Sequence, residues 1–339
     1  MRKKLSACST RPSPIERGSI LGADICEYKA AVSAYWDASF IQLGAGALDA
    51  GIEYLVGDNF TLYRDNWHQR LHLVGTLLPG MIAFGISSRA GQGTRWWGQS
   101  LSPGCIPIGR SNDEMNLVAG ANEGMTVLTM REGDFLRIFE HLTGLASSDF
   151  PGEGRFLELN PGAERQLLKF WNSVLAQTST MDRCEWQLVD LVAPLLAALE
   201  LPVLRNDMQS PKAALLNRLM HIAETTDFQA TVPEISQKLG VSRRSIEYLF
   251  HDLIGESPRA YFIARRLSLC KQELAEAGQG EITVAAVAIK HGFYELGRFA
   301  SVYRRYFGEL PSITLRRNPV LVTLGMRSWE TDVSHNDPS

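Results

Sequence analysis

The spacing of apolar residues changes partway along this chain, and the change divides it. From about residue 38 to 130 the apolar positions come in short runs: Phe40-Ile41-Gln42-Leu43, Ile52-Glu53-Tyr54-Leu55-Val56, Phe60-Thr61-Leu62-Tyr63 and Arg70-Leu71-His72-Leu73-Val74. Met81-Ile82-Ala83-Phe84-Gly85-Ile86, Met115-Asn116-Leu117-Val118 and Met125-Thr126-Val127-Leu128 follow. Turn formers separate them, among them Gly57-Asp58-Asn59, Pro79-Gly80, Gly91-Gln92-Gly93 and Pro103-Gly104. Many short runs with regular turn signals predict an antiparallel sandwich or barrel. Helical spacing then takes over at Phe135, Ile138, Phe139 and Leu142, at Leu167, Leu168, Trp171, Val174 and Leu175, and at Leu188, Val189, Val192, Leu195 and Leu196. Two or three helices therefore close a first domain. The pair over 162–178 and 183–200 either covers its own sheet or offers one face to a second subunit.

Boundaries follow from the same pattern. Residues 1–20 are polar, carry Pro12 and Pro14, and read as a flexible leader. The β-rich domain with its helical closure spans 21–200. Two prolines and little periodicity make 201–211 the linker. A helical domain occupies 212–318, and 319–339 is a tail.

The helical domain contains an internal repeat. Lys238-Leu239-Gly240-Val241-Ser242-Arg243-Arg244-Ser245-Ile246-Glu247-Tyr248-Leu249-Phe250 leads to Gly255-Glu256-Ser257-Pro258. Lys290-His291-Gly292-Phe293-Tyr294-Glu295-Leu296-Gly297-Arg298-Phe299 leads to Gly308-Glu309-Leu310-Pro311. Each copy has the parts of a helix-turn-helix. Thr231-Val232-Pro233-Glu234 is a capping box that opens a short helix. Gly240 closes it, and Ser242 caps a second helix that buries Ile246, Leu249, Phe250 and Leu253. The second copy opens at Thr283, turns at Gly292 and buries Phe299, Val302, Tyr303 and Tyr306 or Phe307. Ser257-Pro258 starts the connecting helix, which ends near Gly278. Its twenty or so residues span roughly 30 Å, close to the ~34–36 Å between successive major grooves on one face of DNA.

Charge sharpens this picture. The net charge of -3 averages a -5 body (18 Lys+Arg against 23 Asp+Glu over 1–210), a +4 module (15 against 11 over 211–318) and a -2 tail. An anionic partner is thus expected for the helical module alone. With 45% hydrophobic and 21% charged residues the chain is neither disordered nor fibrous. No apolar stretch approaches the ~18 residues that span a bilayer, so no membrane partner is expected. Five scattered cysteines without a Cys-x-x-Cys pair fit a reducing cytoplasm.

The repeat closely resembles the AraC/XylS family of bacterial transcriptional regulators over about 212–318. The most specific stretch runs from Gly292-Phe293 to Phe299 and through Tyr303-Arg304-Arg305-Tyr306-Phe307-Gly308-Glu309-Leu310-Pro311 to Arg316. The resemblance implies a double helix-turn-helix whose base-reading positions are Arg243, Arg244, Glu247 and Tyr248 in the first copy and Leu296, Arg298 and Ser301 in the second. Lys290, Arg304, Arg305, Arg316 and Arg317 are expected on backbone phosphates. Glu295 and Gly297 depart from the family pattern, which usually has Ser or Asp at the first and Ser at the second. That departure predicts a weaker second reading helix. The first domain looks like the sensing and dimerising domains of family members, and Leu101-Ser102-Pro103-Gly104 with Ile106-Pro107-Ile108 resembles a cupin turn and strand. The expected fold class is α+β: an N-terminal β-rich, cupin-like sensing and dimerisation domain with flanking helices, and a C-terminal all-α double helix-turn-helix.

An enzyme is not expected, and neither is a cofactor or metal. His68 and His72 lack the Glu of a zincin motif, and the cupin set of paired histidines with a Glu is absent. Tyr54, Tyr63, Trp67, Trp96 and Trp97 are candidates for an effector pocket, with core packing as the alternative for each. Adjacent strand residues face opposite ways, so one of Trp96 and Trp97 must be exposed or packed outside the sheet. The function expected is sequence-specific DNA binding to a promoter operator, as a cytoplasmic, homodimeric transcriptional activator acting with RNA polymerase. A small-molecule effector is one reading of the first domain; a ligand-independent dimeriser or protein-binding surface is the other.

Overall fold

The computed structural model describes residues 15–88, 93–101, 104–111, 114–150, 156–160, 162–177, 187–199, 211–277 and 282–317. The expected linker 201–211 lies outside these residues except for Pro211, and the tail 319–339 lies wholly outside.

Two antiparallel sheets form the first domain. The larger contains β1 (Glu16–Ala23), β3 (Ala50–Val56), β4 (Phe60–Asn66), β6 (Met81–Ser87), β9 (Cys105–Arg110), β11 (Met125–Arg131) and β12 (Phe156–Glu158) in the order β1-β3-β4-β11-β6-β9-β12. The smaller contains β2 (Trp36–Gln42), β5 (Leu71–Leu77), β7 (Arg95–Trp96), β8 (Gln99–Ser100) and β10 (Glu114–Ala119) in the order β2-β5-β10-β7-β8. The seven apolar runs fall on β2 to β6, β10 and β11.

Two elements near the N-terminal end went unread in the sequence. The leader expected over 1–20 is a strand from Glu16 onward, paired with β3 from Glu16↔Val56 to Ala23↔Ala50. As an edge strand it is largely exposed (Leu21 is 80% accessible), so it lacks the apolar alternation that marks the others. It is followed by α1 (Ile25–Val32), where Asp24 accepts from the Cys26 and Glu27 amides and Glu27 reaches back to Asp24 N, a full capping box.

The large sheet is covered on its outer face by α2 (Glu132–Thr143), α3 (Ala163–Ala176) and α4 (Leu188–Ala198). Phe135, Phe139, Leu167, Trp171, Leu191 and Leu195 pack there with Phe60, Leu62, Phe84 and Leu128 in one fully buried cluster. The buried faces of α3 and α4 cover their own sheet.

Among the described residues the second domain has seven helices: α5 (Pro211–Glu224), α6 (Val232–Leu239), α7 (Arg243–Leu253), α8 (Pro258–Glu276), α9 (Val284–Lys290), α10 (Leu296–Phe307) and α11 (Pro311–Arg316). They lie against the smaller sheet, chiefly through α8 on β2. The layers run from the α2–α4 cover through the large sheet and the small sheet to the helical domain.

Candidate nucleic-acid interface and an interior cavity

Each helix pair is built by caps that the sequence encodes. Thr231 caps α6 in a capping box with Glu234, and Ser242 accepts from Ser245 N at 3.0 Å to start α7. Gly240 between them has φ +66°, a left-handed conformation that an L side chain adopts only at a cost. In the second pair Thr283 accepts from Ala286 N at 3.1 Å to open α9. Gly292 (φ +76°) makes the turn in a crowded place: a Cβ would lie 2.8 Å from Arg266 Nη1 and 2.9 Å from Gln229 Oε1. Those neighbours fix the pair, since Arg266 donates to the His291 and Gly292 carbonyls and Gln229 Nε2 to the Lys290 carbonyl.

The four apolar positions expected inside α7 are all buried, as are Phe299, Tyr303, Tyr306 and Phe307 of α10. That packing turns Arg243, Arg244, Glu247 and Tyr248 outward on α7, and Leu296, Arg298 and Ser301 outward on α10. Arg243 and Arg244 carry no ion pair among the described residues, while Lys212 Nζ sits 4.9 Å over the exposed Tyr248 ring. Arg298 stays 72% exposed with Glu295 3.8 Å away. Glu295 makes no capping hydrogen bond, and space around Gly297 is open, consistent with a weakly held start to α10. Tyr294, 74% exposed just before that helix, belongs to the same surface and was not singled out from the sequence. Its signal was an aromatic residue directly preceding a cap.

The cations assigned to phosphate divide. Arg304, Arg305 and Arg316 lie on exposed positions, and Lys290 is 65% exposed while pairing with Glu273 at 2.9 Å. Arg317 instead turns toward Asp24 (3.4 Å) and Glu309 (3.8 Å).

A family model described as a helix-turn-helix domain matches residues 235–317. Those residues are an AraC-type helix-turn-helix domain. The chain is 30% identical over 141 residues to the XylDLEGF operon transcriptional activator 1 of Pseudomonas putida, covering 41% of this chain and 43% of that protein. It is 40% identical over 77 residues to XylDLEGF operon transcriptional activator 3 of the same species, 23% of each. Among solved structures, a probable AraC family transcriptional regulator from Rhodopseudomonas palustris is 34% identical, with 97% of that chain and 30% of this one covered and a TM-score of 0.27. The chain thus spans less than half the length of these two curated relatives.

The AraC-type domain is tied to the β-rich domain at both of its Gly-Glu-x-Pro turns. In the first, Arg70 donates to Glu256 Oε1 and to the Ile254 carbonyl, both at 2.6 Å. In the second, Glu309 accepts from Lys271 Nζ at 2.7 Å, and Lys271 Nζ also lies 3.0 Å from Asp24 Oδ2. The end of α10 is held as well, because Gln42 Nε2 donates to Tyr306 O at 2.7 Å and Gly46 N to Arg305 O at 3.0 Å. Between these ties, His72 of β5 is fully buried against α8. Asn116 Oδ1, 3.0 Å from Nε2, can only accept, so Nε2 carries the proton and Nδ1 accepts from Tyr261 OH at 2.9 Å. Burial drives His72 down to about 4, against the Asn116 bond that favours its charged form. His68 is elsewhere, paired with Asp49 at 3.2 Å, so the two histidines do not converge.

A cavity lies between the two sheets. Tyr28, Trp36, Phe40, Tyr63, Trp67 and Trp96 supply its aromatic wall, and Asp65 its one acidic group. Three of the five aromatic candidates, Tyr63, Trp67 and Trp96, are thereby brought together. Tyr54 is not among the lining residues: it lies over Gly18 of β1, its hydroxyl 2.3 Å from where a Gly18 Cβ would stand. Trp97 is also elsewhere, buried at φ +54°, and the next residue, Gly98, abuts Leu253 of α7. Trp96, on β7, thus lines the cavity, while Trp97, in the turn that follows the strand, does not. Tyr28, Phe40 and Asp65 were not foreseen; Tyr28 sits on the unread α1, and a lone Asp at a strand end carries no sequence signal.

Proposed function

We propose that this chain is a sequence-specific, DNA-binding transcriptional regulator that places α7 and α10 in successive major grooves. The observation that carries the reading is the pair of helix-turn-helix units, with Arg243 and Arg244 in the first turn of α7 and Arg298 in the first turn of α10, joined by the 19-residue α8. At ~1.5 Å per residue α8 is roughly 28 Å long, commensurate with groove spacing. Arg243, Arg244 and Arg298 read bases, because a guanidinium can donate two hydrogen bonds to one guanine. Glu247, Tyr248, Leu296, Ser301 and the exposed Tyr294 complete the reading surface. Lys290, Arg304, Arg305 and Arg316 hold phosphates and set the register; Arg317 serves the tie to Asp24.

The cavity between the sheets is the effector site in this reading. The strands that floor it, β2, β5 and β10, present Phe40, Leu73 and Leu117 to the cavity and Ser39, His72 and Asn116 to the other face, where Arg265 and Tyr261 of α8 meet the first two. An occupant is one strand thickness from the DNA-binding domain. RNA polymerase and a second copy of the chain are the protein partners that regulation of a promoter would involve.

The experiment is a gel-shift at fixed salt with the full chain, on a selected DNA site and its scrambled version. Arg244→Ala is expected to weaken binding to the selected site far more than to the scrambled one. Equal loss on both would remove Arg244 from base reading.

A further inference from the structure

The chemistry of the cavity wall narrows its occupant, on the reading above that this cavity is the effector site. Asp65 is 4% exposed, and its oxygens accept from Tyr28 OH and from Met125 N, each at 2.7 Å. Both donors are neutral. No Lys, Arg or His pairs with Asp65 among the described residues, and none lines the cavity. His72, and Arg265 where it bonds Ser39, belong to the small sheet's opposite face. A carboxyl group so placed is costly to ionise, and burial pushes it up to about 7.

Around it stand six aromatic rings, whose faces carry the negative end of the ring quadrupole. Aromatic ring faces and a carboxyl group are both suited to positive charge. The indole N–H of Trp96 is buried without a hydrogen-bond partner. The other cavity tryptophans are satisfied, Trp36 by Tyr63 OH at 3.2 Å and Trp67 by the Gly120 carbonyl at 2.9 Å.

The geometry points to a small, largely apolar organic cation as the ligand of this cavity. Its ammonium sits at Asp65 among the rings. Anionic ligands of the same shape are excluded by the Asp65 carboxylate and the absence of a counter-charge in the lining.

The test titrates the full chain at pH 8 with three probes of one shape: 2-phenylethylammonium, neutral 2-phenylethanol and anionic 3-phenylpropanoate. Quenching of the cavity tryptophans and thermal shift report binding. The expected order is cation tightest by at least tenfold over the alcohol, with the carboxylate weakest. Asp65→Asn should erase the preference for the cation while leaving the alcohol's affinity within a few-fold. Should Asp65→Asn fail to fold, the ranking of the three probes on the unaltered protein decides alone. Alcohol or carboxylate binding as tightly as the cation overturns the proposed class and leaves the cavity an effector site. A cation preference that survives in Asp65→Asn removes Asp65 from recognition and overturns the proposal too. No binding of any probe overturns the proposal and counts against the effector reading, while the gel-shift on DNA judges the regulator reading separately.

Discussion

Replacing Lys271 with methionine removes a buried charge that links the two domains while keeping the side chain's length. Lys271 is 1% exposed on α8, and its ammonium lies 2.7 Å from Glu309 Oε1 and 3.0 Å from Asp24 Oδ2. The attractions outweigh the cost of burial: the Lys271 ammonium is held above its ordinary value, and Asp24 is held below its own. Removing one partner of such a pair leaves uncompensated carboxylates, a loss of about 3–5 kcal/mol when burial is complete. Here the Asp24 and Glu309 side chains are 20% and 14% exposed, and Arg317 remains near both, so the lower end, ~3 kcal/mol, is expected. Urea denaturation of the full chain at pH 7, followed by tryptophan fluorescence, measures it. Lys271→Met combined with Glu309→Gln should recover on the order of 1 kcal/mol, because one stranded charge is gone. The penalty should also fade in acid, since Asp24 has a lowered value in the folded state. Its contribution is present above the carboxylate range and is lost as the pH falls through it. A loss under about 1 kcal/mol, or no recovery in the double variant, would refute the link.

Three further outcomes are expected. Glu295→Ser with Gly297→Ala should stabilise α10 by about 1–2 kcal/mol, since a capping hydroxyl is worth ~1 and an open helical glycine ~0.5–1; amide exchange across 296–307 should slow, and unchanged exchange would mean that α10 is already firmly held. His72, ordinarily 6.5 and about 4 in the folded chain, binds fewer protons folded than unfolded between those values. Stability should therefore fall as the pH drops from 6.5 toward 4, and His72→Gln should flatten that slope in urea midpoints at pH 7 and 5. Arg304→Ala should weaken binding to selected and scrambled DNA alike and reduce the salt slope by about 0.9; loss on the selected site alone would make Arg304 a base reader.

The legible parts of this molecule were those whose physics is local. Caps and left-handed glycines at Thr231, Gly240, Ser242, Ser257, Thr283 and Gly292 wrote the helix-turn-helix units into the sequence, and apolar runs wrote most strands. Strand β1 was silent because an edge strand needs no buried alternation. Helix α1 did carry its signal, the Asp24–Glu27 capping box, between two stretches that drew attention elsewhere. The cavity was half legible. Aromatic residues marked the right domain, but Tyr54 and Tyr63 pair directly across β3 and β4 on one face of the sheet, so only the strand order puts Tyr63 at the cavity and Tyr54 toward the β1 edge, and Asp65 meets Tyr28 and Met125 only through pairing across 37 and 60 residues of chain. Arg317 shows the same limit, since its partner Asp24 is 293 residues away.

Selection of binding sites from random-sequence duplex DNA by the full chain tests the central claim most directly. Two reading helices joined by α8 predict an enriched site with two separate base clusters centred about 10–11 base pairs apart, and Arg244→Ala should blur one cluster while Arg298→Ala blurs the other. Enrichment of a single cluster, or salt-sensitive binding with no preferred sequence, would contradict it.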